Sequence, residues 1–142
     1  MLGYYRVSAP GVLEAPKDGW YDTGDIVEVD ASGFVWIRDR ANRFAKIGGE
    51  LVPMTVGEAL ADSIWPGEAH AVIALDDARS GQRLVLATSC RSATVDAVLD
   101  AARRQGLPAI VVPRRVVFLE HLPRLGSGKI DYPALQQIVE SA

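Results

Sequence analysis

The apolar positions of this chain change period several times, and each change predicts a different element. Ile26-Val27-Glu28-Val29 and Phe34-Val35-Trp36-Ile37-Arg38 are β-prone runs around Asp30-Ala31-Ser32-Gly33, a turn ending on glycine. Together they predict a hairpin. A new apolar run begins at Phe44 and stops at Gly48-Gly49, where adjacent glycines mark a sharp bend or a close approach. Over 53–63 the spacing becomes helical. Val56, Leu60 and Ile64 share one side, and Pro53 suits a first turn. Gly57 should weaken that helix by about 1 kcal/mol relative to Ala.

Residues 69–75 and 84–88 read as two buried strands, separated by a polar turn over 76–81. Thr94 caps a helix carrying Val95, Val98, Leu99 and Ala102 on one face, which Gly106 and Pro108 end. Residues 116–119 form a further strand, and 132–139 a last helix opening at Pro133. Residues 1–19 hold Pro10, Gly11, Pro16 and Gly19 without a period and read as loop. From about residue 43 the order is strand, helix, strand, strand, helix, strand, loop, helix. That order predicts a small α+β fold, with helices flanking a mostly antiparallel sheet. The charged stretch Arg38-Asp39-Arg40 separates the hairpin from this body, which suggests two parts, 1–41 and 42–142.

At 142 residues and 49% hydrophobic content, the composition is that of a folded chain. No apolar stretch approaches the roughly 20 residues that span a bilayer, and the N-terminus lacks a signal-peptide core. Cys90, the single cysteine, excludes an internal disulfide and a cysteine metal cluster, and the plain expectation is a cytoplasmic setting. The net charge of −3 gives no case for nucleic-acid binding. It is uneven: residues 1–90 carry −5 and 91–142 carry +2, with Arg103, Arg104, Arg114, Arg115 and Arg124 at the basic end. An ordinary mixed surface and a docking face for an acidic partner or anionic ligand both remain open.

Several motifs fail on inspection. A phosphate loop ending at Gly128-Lys129 would need glycine where Pro123 stands and Ser or Thr where Ile130 stands. A dinucleotide fingerprint starting at Gly126 would need glycine at Asp131. Ser127 lacks the glycine spacing of a nucleophile elbow. His70 and His121, with no paired acid, read as structural residues, and no metal site is expected.

Two motifs survive. Gly19-Trp20-Tyr21-Asp22-Thr23-Gly24-Asp25 leads into the hairpin. By itself it is a turn, but Asp25 at a strand start can accept hydrogen bonds from two neighbouring hydroxyls, as on a ribose. Lys129, between Gly126-Ser127-Gly128 and Ile130, is either an exposed loop lysine or an ammonium able to reach an anionic centre and withdraw.

Trp20 to Asp25, then Arg40, then Lys46-Ile47-Gly48-Gly49-Glu50, then Gly126 to Asp131 recur in one order. That series resembles the C-terminal end of the acyl-adenylate-forming superfamily of acyl-CoA synthetases, peptide-synthetase adenylation domains and luciferases. With Pro10 to Glu14, Arg43 to Ile47 and Leu125 to Lys129, the chain looks most like the acyl-[acyl-carrier-protein] synthetase half of the bifunctional 2-acylglycerophosphoethanolamine acyltransferase.

The resemblance implies that 1–41 is the last strip of a large adenylation domain and that 42–142 is its C-terminal lid. It implies that Asp25 and Arg40 bind the ribose of ATP and that Asn42 is the hinge, although a charged residue is usual there. Glycine is commoner where Asp39 stands. The Gly48-Gly49 pair would pass the pantetheine arm of CoA or acyl carrier protein, and a side chain there would narrow that tunnel. The family often has a glutamate where Gly57 stands, so that role is lost or moved. Lys129, supported by Gly126 and Gly128, would be catalytic in forming an acyl-adenylate from a fatty acid and Mg·ATP, with Mg2+ held mainly outside this chain. The implied partners are the chain's own adenylation domain and the acid and thiol substrates, at the inner membrane if other parts of the parent carry it there. The isolated chain is expected to be inactive. The alternatives are a CoA ligase and a non-catalytic binding module.

Overall fold

The computed structural model describes residues 2–6 and 8–142, with Asp39 described by its backbone alone. It folds as two compact units, 1–41 and 42–142.

The first unit contains two antiparallel ribbons. β1 (Tyr4–Arg6) pairs with β2 (Ala9–Glu14), and Arg6 forms an ion pair with Glu14 across the ribbon. This corrects the expectation of a loop over 1–19. Tyr-Tyr-Arg and Val-Leu-Glu are short β-prone pieces, and the prolines and glycines around them mask the alternation. The predicted hairpin forms from β3 (Asp25–Val29) and β4 (Val35–Arg40), with a bulge between Ile26 and Val27. Val27 opposes Ile37 and Val29 opposes Val35, so these four side chains share one face, and all four are exposed. Two-stranded ribbons with uncovered apolar faces are marginal alone and need another surface to pack on.

The second unit holds a five-stranded sheet. β5 (Phe44–Ile47) turns at Gly48-Gly49 into β6 (Glu50–Pro53), a strand the apolar pattern did not reveal because it is only four residues long. β7 (His70–Asp77) and β8 (Gly81–Thr88) form the long central hairpin. Its turn is shorter than predicted. Asp77 Oδ1 accepts from the Arg79 and Ser80 amides at 3.0 and 2.9 Å, so pairing runs on into the polar segment. β8 also pairs with β9 (Arg115–Phe118) in parallel and meets β5 at Ile47–Gly81.

Alternation along the strands divides the core in two. Val72, Leu84 and Leu86 face α1 (Met54–Ile64) and α2 (Val95–Arg104). Ala71, Ile73, Leu75, Val85 and Ala87 face α3 (Tyr132–Ser141) through Leu135 and Val139. With both faces covered, β7 and β8 read as continuous apolar runs rather than alternating ones. The predicted α+β architecture is the observed one, with β9 the parallel exception.

The helix ends follow their sequence signals. Thr94 Oγ1 accepts from the Ala97 amide at 3.3 Å and Asp131 Oδ1 from Ala134 at 3.1 Å. Pro53, predicted in the first turn, is instead the N-cap of α1, one position before the helix begins. Gly57 lies on the buried side of α1, where an added Cβ would meet Val72 Cγ2 at 3.2 Å and Val111 O at 3.3 Å. Close approach of helix to sheet, rather than flexibility, accounts for glycine there.

Candidate functional site

Asp25 opens β3 directly opposite Arg40 at the end of β4. The turn before it is locally determined: Asp22 Oδ1 accepts from Gly24 N at 2.8 Å, Thr23 Oγ1 from Asp25 N at 3.2 Å, and Gly24 has φ +67°. Ala41 N donates to Gly24 O at 2.8 Å and closes the far end. The Asp25 side chain is 15% exposed and that of Arg40 is 64% exposed. Asp25 Oδ1 lies 3.2 Å from Arg40 Nε, within ion-pair range. Among the described residues it nevertheless has no aligned hydrogen-bond donor. An ionised carboxylate oxygen in an ion pair keeps acceptor capacity for a ligand hydroxyl.

Asn42 lies in a single 3-10 turn, Ala41–Arg43, where the second unit starts. Gly48 and Gly49 have φ of +59° and +91° and form the two-residue turn between β5 and β6. Positive φ at both positions is the type I′ arrangement, which favours glycine. A Cβ on either glycine would meet nothing within 4 Å, so in this chain the backbone, not crowding, demands glycine. Beside the turn is a cavity of about 330 Å³, lined by Ile47, Gly48, Ser80, Ile110 and Arg114.

Lys129 is exposed on the returning limb of a tight turn that its own backbone closes. Leu125 N donates to Lys129 O at 2.8 Å, Gly128 N to Leu125 O at 2.8 Å and Asp131 N to Pro123 O at 2.9 Å. Arg124 Nη1 donates to Gly128 O at 2.7 Å. Gly128 has φ +83°, whereas Gly126 is not left-handed. The segment is therefore a shaped turn rather than a free glycine-rich tether. It presents an ammonium to solvent on an ordered base.

The sequence reading missed the polar cluster beneath this region. Glu58 Oε1 accepts from Arg43 Nη2 at 2.5 Å, Val72 N at 2.8 Å and Tyr132 Oη at 3.1 Å. Arg43 Nη1 also donates to Val72 O at 3.2 Å, and its guanidinium lies 4.1 Å from the Tyr132 ring centroid. Burial pushes the Tyr132 hydroxyl up to about 12, with the Glu58 charge adding to the effect. The available signal was position. Glu58 falls four residues after Met54 and three before Ala61, on the buried stripe of α1. A charge on such a stripe needs a partner.

His70 is structural, with Nδ1 2.8 Å from Thr88 Oγ1 and Nε2 3.1 Å from Trp65 O. Among the described residues, no three His, Cys, Asp or Glu side chains gather to hold a metal. No helix there is long and apolar enough to cross a membrane.

Residues 67–129 match the AMP-binding enzyme C-terminal domain. The chain is 32% identical to the probable acyl-activating enzyme 4 of Arabidopsis thaliana, over 99% of this chain and 26% of that protein. It is likewise 32% identical to the 3-hydroxybenzoate–CoA/4-hydroxybenzoate–CoA ligase of Thauera aromatica, over 99% of this chain and 28% of that protein. Among solved structures it resembles ATP-bound MatB of Rhodopseudomonas palustris, with TM-score 0.73 and 28% identity over 97% of this chain and 28% of that one. The Mycobacterium tuberculosis fatty acyl CoA synthetase aligns at TM-score 0.68 and 28% identity, over 88% of this chain and 25% of that one. The chain thus spans about a quarter of the length of its curated relatives.

Proposed function

We propose that this chain, whose residues 67–129 match the C-terminal domain of AMP-binding enzymes, is the mobile lid, with an adjoining strip of the large domain, of an ATP-dependent acid–thiol ligase. In the first half-reaction a carboxylate oxygen attacks the α-phosphorus of ATP and pyrophosphate leaves. In the second, a thiol attacks the acyl-adenylate carbonyl and AMP leaves.

The observation that carries this reading is the placement of Lys129, an exposed ammonium on a hydrogen-bonded turn. A cation fixed in this way can stabilise charge that develops on the phosphate oxygens without paying for reorganisation at that moment. The Asp25 carboxylate, ion-paired with Arg40 and acceptor-only, is suited to ribose hydroxyls. Asn42 serves as the pivot: asparagine tolerates uncommon backbone angles, and the second unit starts there. After adenylation the lid turns, Lys129 withdraws, and the Gly48-Gly49 turn flanks the path of the incoming thiol. Magnesium would be held mainly by the large domain outside this chain.

CoA is the proposed acceptor, since the hydroxybenzoate relative is named as a CoA ligase. The deciding experiment supplies the enzyme that contains this chain with ATP, a carboxylic acid and either CoA or holo acyl carrier protein. Thioester on CoA is expected. Transfer to carrier protein alone would replace CoA as the acceptor and restore the narrower likeness found in the sequence. ATP–pyrophosphate exchange by the isolated 142-residue chain would contradict its role as a lid.

A further inference from the structure

We infer that Arg43, Glu58 and Tyr132 form one positioning device, which makes the Lys129 loop turn as a rigid body with the chain that leaves the hinge. The inference rests on the reading above of Asn42 as pivot and Lys129 as catalytic group.

Arg43 immediately follows Asn42, and Tyr132 stands three residues beyond Lys129, at the start of α3. The two are far apart in sequence, yet both donate to the same oxygen, Glu58 Oε1. That oxygen also accepts from the amide of Val72 in the central strand. The Arg43 guanidinium, besides bonding Glu58 and Val72 O, stacks over the Tyr132 ring. One part-buried carboxylate therefore ties together the hinge exit, the sheet and the base of the catalytic turn. The side chains of Arg43 and Glu58 are only 13% and 17% exposed, so this tie is little screened by solvent.

Asp131, directly before Tyr132, donates its amide to Pro123 O and so closes the stem of the Lys129 turn. Fixing Tyr132 fixes that stem. A rotation about 40–42 is then transmitted to the ammonium without slack, and an error of about 1 Å in such a group can lower a rate about a hundredfold. None of the three side chains needs to touch substrate. They are positioning residues, and Lys129 is the group they position.

Two arms test this, using Tyr132→Phe, which keeps the ring and removes only the hydroxyl, and Arg43→Lys, which keeps the charge and removes the planar fork. In the first arm, amide hydrogen exchange is measured on the 142-residue chain. Exchange at Leu125, Gly128 and Asp131 should rise about tenfold, while Val85 and Leu86 in the central sheet hold their wild-type rates. An unchanged loop, or an equal rise throughout the sheet, overturns the inference.

The second arm uses the ligase that contains the chain. Tyr132→Phe should lower kcat for ATP–pyrophosphate exchange with the KM for ATP unchanged, and add no loss in a Lys129→Ala background. Equal losses in both backgrounds overturn the positioning role. If the loop amides respond but Lys129→Ala leaves adenylation intact, the ligase reading falls and the mechanical tie stands.

Discussion

The amide of Leu125 donates to the carbonyl of Lys129 at 2.8 Å, so the residue that carries the free ammonium also closes its own turn. Anchoring at the backbone and exposure at the side-chain tip are thereby combined in one position.

The two glycines of the turn differ in kind. Gly128 has φ +83°, a conformation that L side chains rarely adopt, whereas Gly126 is not left-handed and has nothing within 4 Å of an added Cβ. Gly128→Ala should destabilise the turn by about 1–2 kcal/mol, and Gly126→Ala should be close to neutral. Thermal melts and loop amide exchange on the two variants check this. Equal behaviour would mean that the turn is not held as described.

Gly57→Ala sets helix propensity against packing. Alanine gains about 1 kcal/mol in a helix interior. The new methyl, however, meets Val72 Cγ2 at 3.2 Å and the backbone oxygen of Val111 at 3.3 Å. A backbone oxygen gives way less easily than a side chain, and overpacking of this sort costs about 1–3 kcal/mol. The melting temperature should fall, by a few degrees if the net loss is about 1 kcal/mol. A rise would show that propensity wins.

Tyr132 predicts a loss of stability in alkali. Its hydroxyl is raised to about 12 in the folded chain, chiefly by burial, against an ordinary value of 10.0. Below pH 10 both the folded and the unfolded states keep the proton, and the contribution is fully present. Between about pH 10 and pH 12 the unfolded state releases the proton first, so stability falls as pH rises. Because the group is half-buried, the loss should be on the order of 1 kcal/mol rather than the full linkage value. Denaturant melts across this range should show the fall in the wild type and lose this component in Tyr132→Phe.

Asp25→Asn removes the charge from the carboxylate that faces Arg40 and leaves its shape. In the ligase that contains this chain, the KM for ATP should rise about 10- to 100-fold with the KM for the acid unchanged, since loss of one charged hydrogen-bond acceptor is worth roughly 1.5–3 kcal/mol. Steady-state kinetics with each substrate varied separately decide the point. An unchanged KM for ATP would remove Asp25 from the nucleotide site.

Where the sequence was legible, local chemistry dominated. Thr94 and Asp131 act as caps because side-chain capping is decided within a turn. The hairpin at 30–33 was visible for the same reason, its glycine adopting φ +85°. Other features depend on partners remote in the chain. β6 was hidden because four residues carry too little alternation and gain their place only by pairing with β5. β1 and β2 were hidden by the prolines and glycines that interrupt them. The Glu58 cluster joins residues 15 and 74 positions away, and no motif marks them as a set. The motif series did single out Asp25, Arg40, Gly48, Gly49 and Lys129, but their roles in a reaction are the proposal and not the observation.

The most direct measurement separates the two half-reactions in a Lys129→Ala variant of the ligase that contains this chain. ATP–pyrophosphate exchange should fall about 100- to 1,000-fold, as for loss of one preorganised electrostatic contact. Thioester formation from added acyl-adenylate should stay near the wild-type rate. Undiminished exchange would contradict the account, because the lid would then have no cation whose delivery the reaction needs.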